Sequence, residues 1–219
     1  MTRAQIALSA LAVVCGGSAH GAMITNGSMN GTVGVSSAPT GWTVAQESPD
    51  VVNANGPFNN TGVPWASSPD GGTFARLNGV GDARSEAISQ VVSGFTPGEA
   101  YALSYSVTNL GFRFAGSGAW GGFDGIVRFL INGVEFATSS VVTKPATSAD
   151  PIVWITESRQ FIAPSESFTL TLYGETTGDV DNIAYTAIDG VSAALVPVPA
   201  TMAPVAVGAL VWQRRRRTR

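Results

Sequence analysis

The sequence predicts an all-β fold, a two-sheet β-sandwich. Three observations predict it. Apolar and polar residues alternate with a period of two in short runs from Phe74 to Leu195, the pattern of strands with one buried face. Turn residues separate those runs, with Asn132-Gly133 the strongest hairpin signal in the chain. Only 12% of residues are charged, 26 are glycine, and no stretch has a convincing amphipathic-helix period.

Ile24-Thr25 reads as a short first strand, followed by turns at Asn26-Gly27 and Asn30-Gly31. Pro39 to Trp42 is a further turn, with strands expected at Thr43–Glu47 and Asp50–Val52. Asn53 to Asp70 is rich in Asn, Gly and Pro, with Phe58 and Trp65 embedded, and reads as a long loop. Thr73–Leu77 reads as a strand ended by Asn78-Gly79, and Glu86–Val92 as the next. Ala100–Thr108 places Tyr101, Leu103, Tyr105 and Val107 on one face. Asn109 to Gly125 is a second long, aromatic and Gly-rich loop. Further strands are expected at Ile126–Ile131, Val134–Ala137, Ile152–Ile162, Ser167–Tyr173 and Thr186–Leu195, with an acidic turn from Thr176 to Asn182. Nine or ten short strands imply a sandwich; jelly-roll and immunoglobulin-like topologies both fit.

The ends differ from the middle. Residues 1–22 read as a signal peptide: Arg3 supplies the positive region, Ile6–Val14 the apolar region, and Ala19-His20-Gly21 a small-x-small cleavage pattern. Residues 23–195 are the length of one ordinary domain. Residues 196–219 combine a Pro-punctuated motif, an apolar run and Arg214, Arg215, Arg216 and Arg217. As a helix, Thr201–Gln213 would span only about 20 Å, short of the roughly 30 Å of a bilayer core. The arginines then act as a charge anchor on the cytoplasmic side of the inner membrane.

Charge and composition exclude several functions. The middle carries all 15 acids against six bases, a net of −9, without a basic stripe; nucleic acid is therefore not an expected partner. Cys15 and His20, the single cysteine and histidine, both fall in the leader. The mature chain thus has no disulfide, no Ser-His-Asp or Cys-His catalysis and no His- or Cys-ligated metal.

Several patches resemble exported bacterial proteins with a galactose-binding-like jelly roll. They are Asn26-Gly27-Ser28, Pro39-Thr40-Gly41-Trp42, Ser48–Val52, Pro69–Phe74, Ile88–Gly98 and Ile188-Asp189-Gly190-Val191. The tail motif Val196, Pro197, Val198, Pro199 and Ala200, with the apolar run and the arginines, resembles a PEP-CTERM sorting signal in its VPxPA-type form. Val198 stands where the name-giving motif has Glu. The resemblance implies export through the secretion machinery and signal peptidase, and recognition by an exosortase-type enzyme in a Gram-negative bacterium. It also implies a destination at the cell surface or in the extracellular matrix, often linked to biofilm or polysaccharide. Jelly rolls of this kind often bind calcium structurally.

Candidate sites follow from chemistry. Sugars stack apolar ring faces on aromatics while carboxylates and amides take their hydroxyl hydrogen bonds. Trp120, Phe123 and Asp124 fit that need, with Trp65 and Asn60 expected opposite them. Calcium takes hard oxygen ligands, and Asp70, Asp179 and Asp181 lie in turns that could offer them. The expected function is non-enzymatic, a surface or matrix protein that binds polysaccharide. The alternatives are a purely structural surface protein and a carboxylate-dependent glycoside hydrolase using Asp124 with Glu135 or Glu157.

Overall fold

The computed structural model describes residues 24–56, 65–80, 85–113, 117–178 and 183–197. The expected signal peptide, Asn60, Asp179, Asp181, Val198, Pro199, Ala200, the apolar run and Arg214–Arg217 lie outside the described residues.

Ten strands form two five-stranded sheets, every pair antiparallel. Sheet 1 has the order β1 (Thr43–Gln46), β4 (Ala87–Ser93), β11 (Ser167–Thr176), β8 (Gly125–Ile131) and β9 (Val134–Thr138). Sheet 2 has the order β10 (Ile155–Ile162), β5 (Ala100–Asn109), β12 (Ala184–Leu195), β3 (Phe74–Gly79) and β2 (Asp50–Val52). A two-residue pair, β6 (Phe112–Arg113) with β7 (Trp120–Gly121), sits apart. The described residues contain no helix, and so none long and apolar enough to cross a membrane.

Alternation on β5 does what the sequence predicts: Tyr101, Leu103, Tyr105 and Val107 are all buried between the sheets. Asn132 and Gly133 both take positive φ, at 50° and 80°, and close the β8–β9 hairpin. The N-terminal segment departs from expectation. Ile24-Thr25 is not a strand, because the Gln90 side chain takes the place of a strand partner. Its carboxamide accepts from Thr25 N at 2.8 Å and donates to the Thr25 and Gly41 carbonyls at 2.9 and 2.8 Å. Asn78-Gly79 is not a stop signal either; β3 runs through both residues, with Gly79 opposite Ala184.

The described residues form two apolar clusters. The first lies between the sheets. The second packs on the outer face of sheet 2 and holds Val52, Trp65, Phe74, Leu110, Ile152 and Ala187. Strand alternation divides the residues: Ala75, Leu77 and Ile188 go inward, Phe74 and Ala187 outward. β3 is therefore buried on both faces.

The sheets pinch together at one end. A Cβ on Gly79 would lie 2.4 Å from the Glu175 carbonyl carbon, and one on Gly174 would lie 2.8 Å from Leu77 Cβ. Gly125 is similarly pressed against Thr186 and Ala184. At the opposite end the gap is filled by rings: Phe95 lies 4.7 Å from Phe168 and 4.8 Å from Tyr101, and Phe136 lies 5.3 Å from Phe161. The open side between edge strands β9 and β10 is latched by Glu157. Its carboxylate accepts from Ser140 N at 2.7 Å, Ser140 Oγ at 2.8 Å and Tyr105 Oη at 3.1 Å, and pairs with Arg159 at 2.9 Å.

Gly79→Ala should destabilise the fold by about 1–3 kcal/mol, because the added methyl meets backbone that cannot rotate away. Urea denaturation read by far-UV circular dichroism measures it; an unchanged midpoint contradicts the close contact.

Candidate functional site

The narrow end of the sandwich carries the long loops, and Asn109 organises them. Its Nδ2 donates to the carbonyls of Phe123 and Val142 at 2.9 and 3.1 Å, and its Oδ1 accepts from Gly111 N at 3.0 Å. The 109–125 segment then folds back as the β6–β7 pair, with Phe112 opposite Gly121 and Arg113 opposite Trp120. Trp120 lies over Gly111, where a Cβ would come within 2.3 Å of the indole ring. Gly111 also has φ 57°, so glycine is needed there twice over. Trp120 Nε1 donates to Pro145 O at 2.8 Å, tying this segment to the 139–154 loop.

Trp120, Phe123 and Asp124 lie at this end. Phe123 is 45% exposed, whereas Trp120 and Asp124 are half-buried. Two cations that sequence reasoning did not assign join them. Arg113 donates to Gly118 O at 2.9 Å and to Ser148 Oγ. The Lys144 stem runs beside Gly122. Only the Arg113–Trp120 pairing and the backbone path of Gly122 reveal this grouping, and neither has a local sequence signal. The arrangement offers one open phenyl face, a fixed indole edge, a carboxylate and two cations.

Trp65 is corrected. It is 6% exposed and packs at 6.3 Å from Phe74 in the second apolar cluster, so its ring faces are covered. The hydrolase pairing also fails for Glu135. That residue lies opposite Leu130 at the far end of β8 from Asp124 and pairs with Arg128 at 2.5 Å. Six residues of strand put it about 20 Å from Asp124, beyond the ~5–10 Å of paired glycosidase carboxylates. Glu157 is occupied by the latch; burial alone would raise its pKa, but hydrogen bonds from Ser140 and Tyr105 and the charge of Arg159 outweigh that and lower it.

Asp70 lies at a second polar site, a cavity of about 240 Å³ lined by Gly27, Ser28, Asp70, Gly190, Val191 and Ser192. A carboxylate missed in the sequence adjoins it. Asp189 is fully buried, and neither of its oxygens has a hydrogen-bond partner among the described residues. Burial pushes its pKa up to about 7, opposed by nearby Ser68 and the Gly190 amide and reinforced by the charge of Asp70. A buried, uncompensated carboxylate beside a second one is a hard-oxygen donor set that suits a divalent cation. No group of three acidic, His or Cys ligands occurs among the described residues. Another cavity, about 380 Å³ and mainly apolar, lies at the wide end between β9 and β10; its carboxylate, Glu135, is the one paired with Arg128.

A charged cluster is buried on the outer face of sheet 2. Asp50 and Arg76 pair at 2.5 Å, and the Arg76 guanidinium sits 4.4 Å over the Tyr185 ring. Glu86 accepts from Asn78 N at 2.7 Å, but burial raises its pKa to about 7.

No family model and no curated protein sequence matches the chain. Among solved structures it is similar to a cyclase from Fischerella sp. TAU in complex with 4-(1H-indol-3-yl)butan-2-one: 16% identity over 76% of this chain and 89% of that one, TM-score 0.47. It is also similar to TmCBM61 in complex with β-1,4-galactotriose: 15% identity, 72% and 90% coverage, TM-score 0.40. A CBM4 structure is similar at 15% identity, 73% and 97% coverage and TM-score 0.39. The two-sheet architecture itself stands on the strand pairing described above.

Glu86 gives a pH dependence of definite sign. Its folded pKa of about 7 lies above the unfolded value of 4.5, so the folded state binds more protons between them. The stability it contributes is full below about pH 4.5 and is lost as pH rises through 7. Glu86→Gln should flatten the fall in melting temperature between pH 5 and 8; an identical pH profile in the variant contradicts the assignment.

Proposed function

We propose that this chain is the precursor of an exported, non-enzymatic surface or matrix protein of a Gram-negative bacterium. In this reading it has a galactose-binding-like jelly roll and binds polysaccharide at its narrow-end loops. The observation that carries the reading is the polarity of the sandwich. The chain leaves sheet 2 at the start of β5, where Val196 N donates to Ala100 O at 2.9 Å. The loops gather at the other end of β5, on Asn109. Nine residues of strand separate the two points by about 30 Å. A tail held by the inner membrane, or cut there by an exosortase-type enzyme, leaves Phe123, Trp120, Asp124, Arg113 and Lys144 pointing away from the membrane. Export machinery and signal peptidase act first on the leader.

In the loop site, Phe123 supplies the stacking face. Trp120 adds an indole edge nearby, while Asp124, Arg113 and Lys144 supply polar contacts for hydroxyl or carboxylate groups on the sugar. The site residues fit calcium at the second position, where Asp70 and Asp189 would hold it. The ion would neutralise a buried charge and fasten the Gly27–Ser28 segment to β12. One observation favours the structural reading without a ligand: Trp120 already spends its N–H on Pro145 and its ring on Gly111.

Polysaccharide pull-down with the mature protein tests the loop site. Phe123→Ala should weaken binding about tenfold, the scale of one lost aromatic contact. Undiminished binding moves the site elsewhere on the sandwich, and retention of no polysaccharide by the parent protein supports the structural reading. Calcium should raise the melting temperature by several degrees, about the effect of 1 kcal/mol or more. Asp189→Asn should remove that response, and an unchanged melting temperature in chelator rejects the ion.

A further inference from the structure

β12 leaves the body of sheet 2 before it ends. From Ala184 to Ile188 it is paired with β3, and from Thr186 to Ile188 with β5 as well. A register shift between Asp189 and Ser192 ends that arrangement. From Ser192 to Leu195 the strand is laddered to β5 alone: Ser192 opposite Ser104, Ala193 opposite Leu103, Ala194 opposite Ala102 and Leu195 opposite Tyr101. Its side chains add little. Ser192, Ala194 and Leu195 are exposed, Leu195 by 47%, and Ala193 is half-buried. A ladder held on one side, with most of its side chains exposed, belongs to the low end of local stability.

The last bond of this segment is Val196 N to Ala100 O, and Val196 and Pro197 are the first residues of the VPVPA motif. The motif therefore begins at the residue directly after β12, which is still bonded to β5. An enzyme that cuts a chain needs the backbone around its target free of the fold. While Val196 is bonded to Ala100, that backbone is not free.

We propose that Ser192–Pro197 is a releasable strap, and that its detachment from β5 exposes the motif to the sorting enzyme. The inference rests on the sorting reading of the tail and adds to it a gate made by the sandwich. Release costs the fold little, because Tyr101 and Leu103 on β5 stay covered by sheet 1 from the inner side. The doubly paired part of β12 stays in place behind the bulge.

Two measurements on the full chain test this. By hydrogen exchange, the amides from Ser192 to Val196 should exchange about a hundredfold faster than those from Ala184 to Ile188, as expected for local opening against deep opening. Equal protection overturns the strap. In cells, Ala102→Cys with Ala194→Cys places two thiols on a directly opposed pair, at about 4.5–5.5 Å between Cβ atoms. The oxidised pair should retain the tail, read by intact mass, while each single variant loses it. A six-residue Gly/Ser insert between Leu195 and Val196 should restore cutting in the cross-linked chain. Cutting of the cross-linked chain at the parent rate, without the insert, overturns the gate. A parent chain whose tail is never cut overturns the sorting reading and the gate together, while the exchange result still decides the strap.

Discussion

Backbone contact between the two sheets at the narrow end is the constraint on which the rest depends. Sheets ordinarily pack about 10 Å apart through interleaved side chains. Here Gly79, Gly125 and Gly174 remove those side chains, so β3 meets β11 and β8 meets β12 almost directly. The gap then widens toward the rings of Phe95, Tyr101, Phe161 and Phe168. The wedge sets where each function can lie. The narrow end has no room for a core, so its long connections spread outside it as loops. The wide end holds the aromatic core and the point where the chain leaves.

Sheet 2 is asymmetric for a related reason. Its inner face shares the main core, while the loops that follow β2, β5 and β9 fold over part of its outer face. Those loops bury Trp65, Phe74, Leu110 and Ile152, and next to them a charged group: Asp50, Arg76 and Glu86. Buried charges are costly unless paired. Asp50 has Arg76, and both Asp50 and Glu86 have pKa values raised by burial. The outer layer is thus more than loop covering; it tunes protonation on a face that a simple sandwich leaves wet.

Much of the fold is legible in the residues, and the exceptions have physical causes. β5 is readable because only one of its faces enters the main core over most of its length. β3 reads less well: FARLNG is buried almost throughout, so the period of two that marks a half-buried strand is missing, and Asn78-Gly79 mimics a turn. The false strand at Ile24-Thr25 has the right apolar start but is met by the Gln90 amide, a partner 65 residues away. In the loop site, Trp120 and Phe123 stand out as aromatics among glycines. Arg113 and Lys144 do not, because their place is set by pairing across a short hairpin and by contact between loops. Trp65 stands in a loop of similar composition, and only packing against Phe74 distinguishes it. Asp189 sits in an apparently ordinary strand; its isolation is visible only when the layers around it are assembled.

The position of β12 has a consequence in time. The last strand among the described residues is the middle strand of sheet 2, between β5 and β3. Its pairing with β3 joins residues more than 100 apart, such as Ala184 and Gly79. Contacts this distant in sequence form late and slowly. A chain emerging from its N-terminus therefore leaves β3 and β5 unjoined until residues 184–195 have emerged. The time those residues take to emerge sets how long the two edges stay open to other chains.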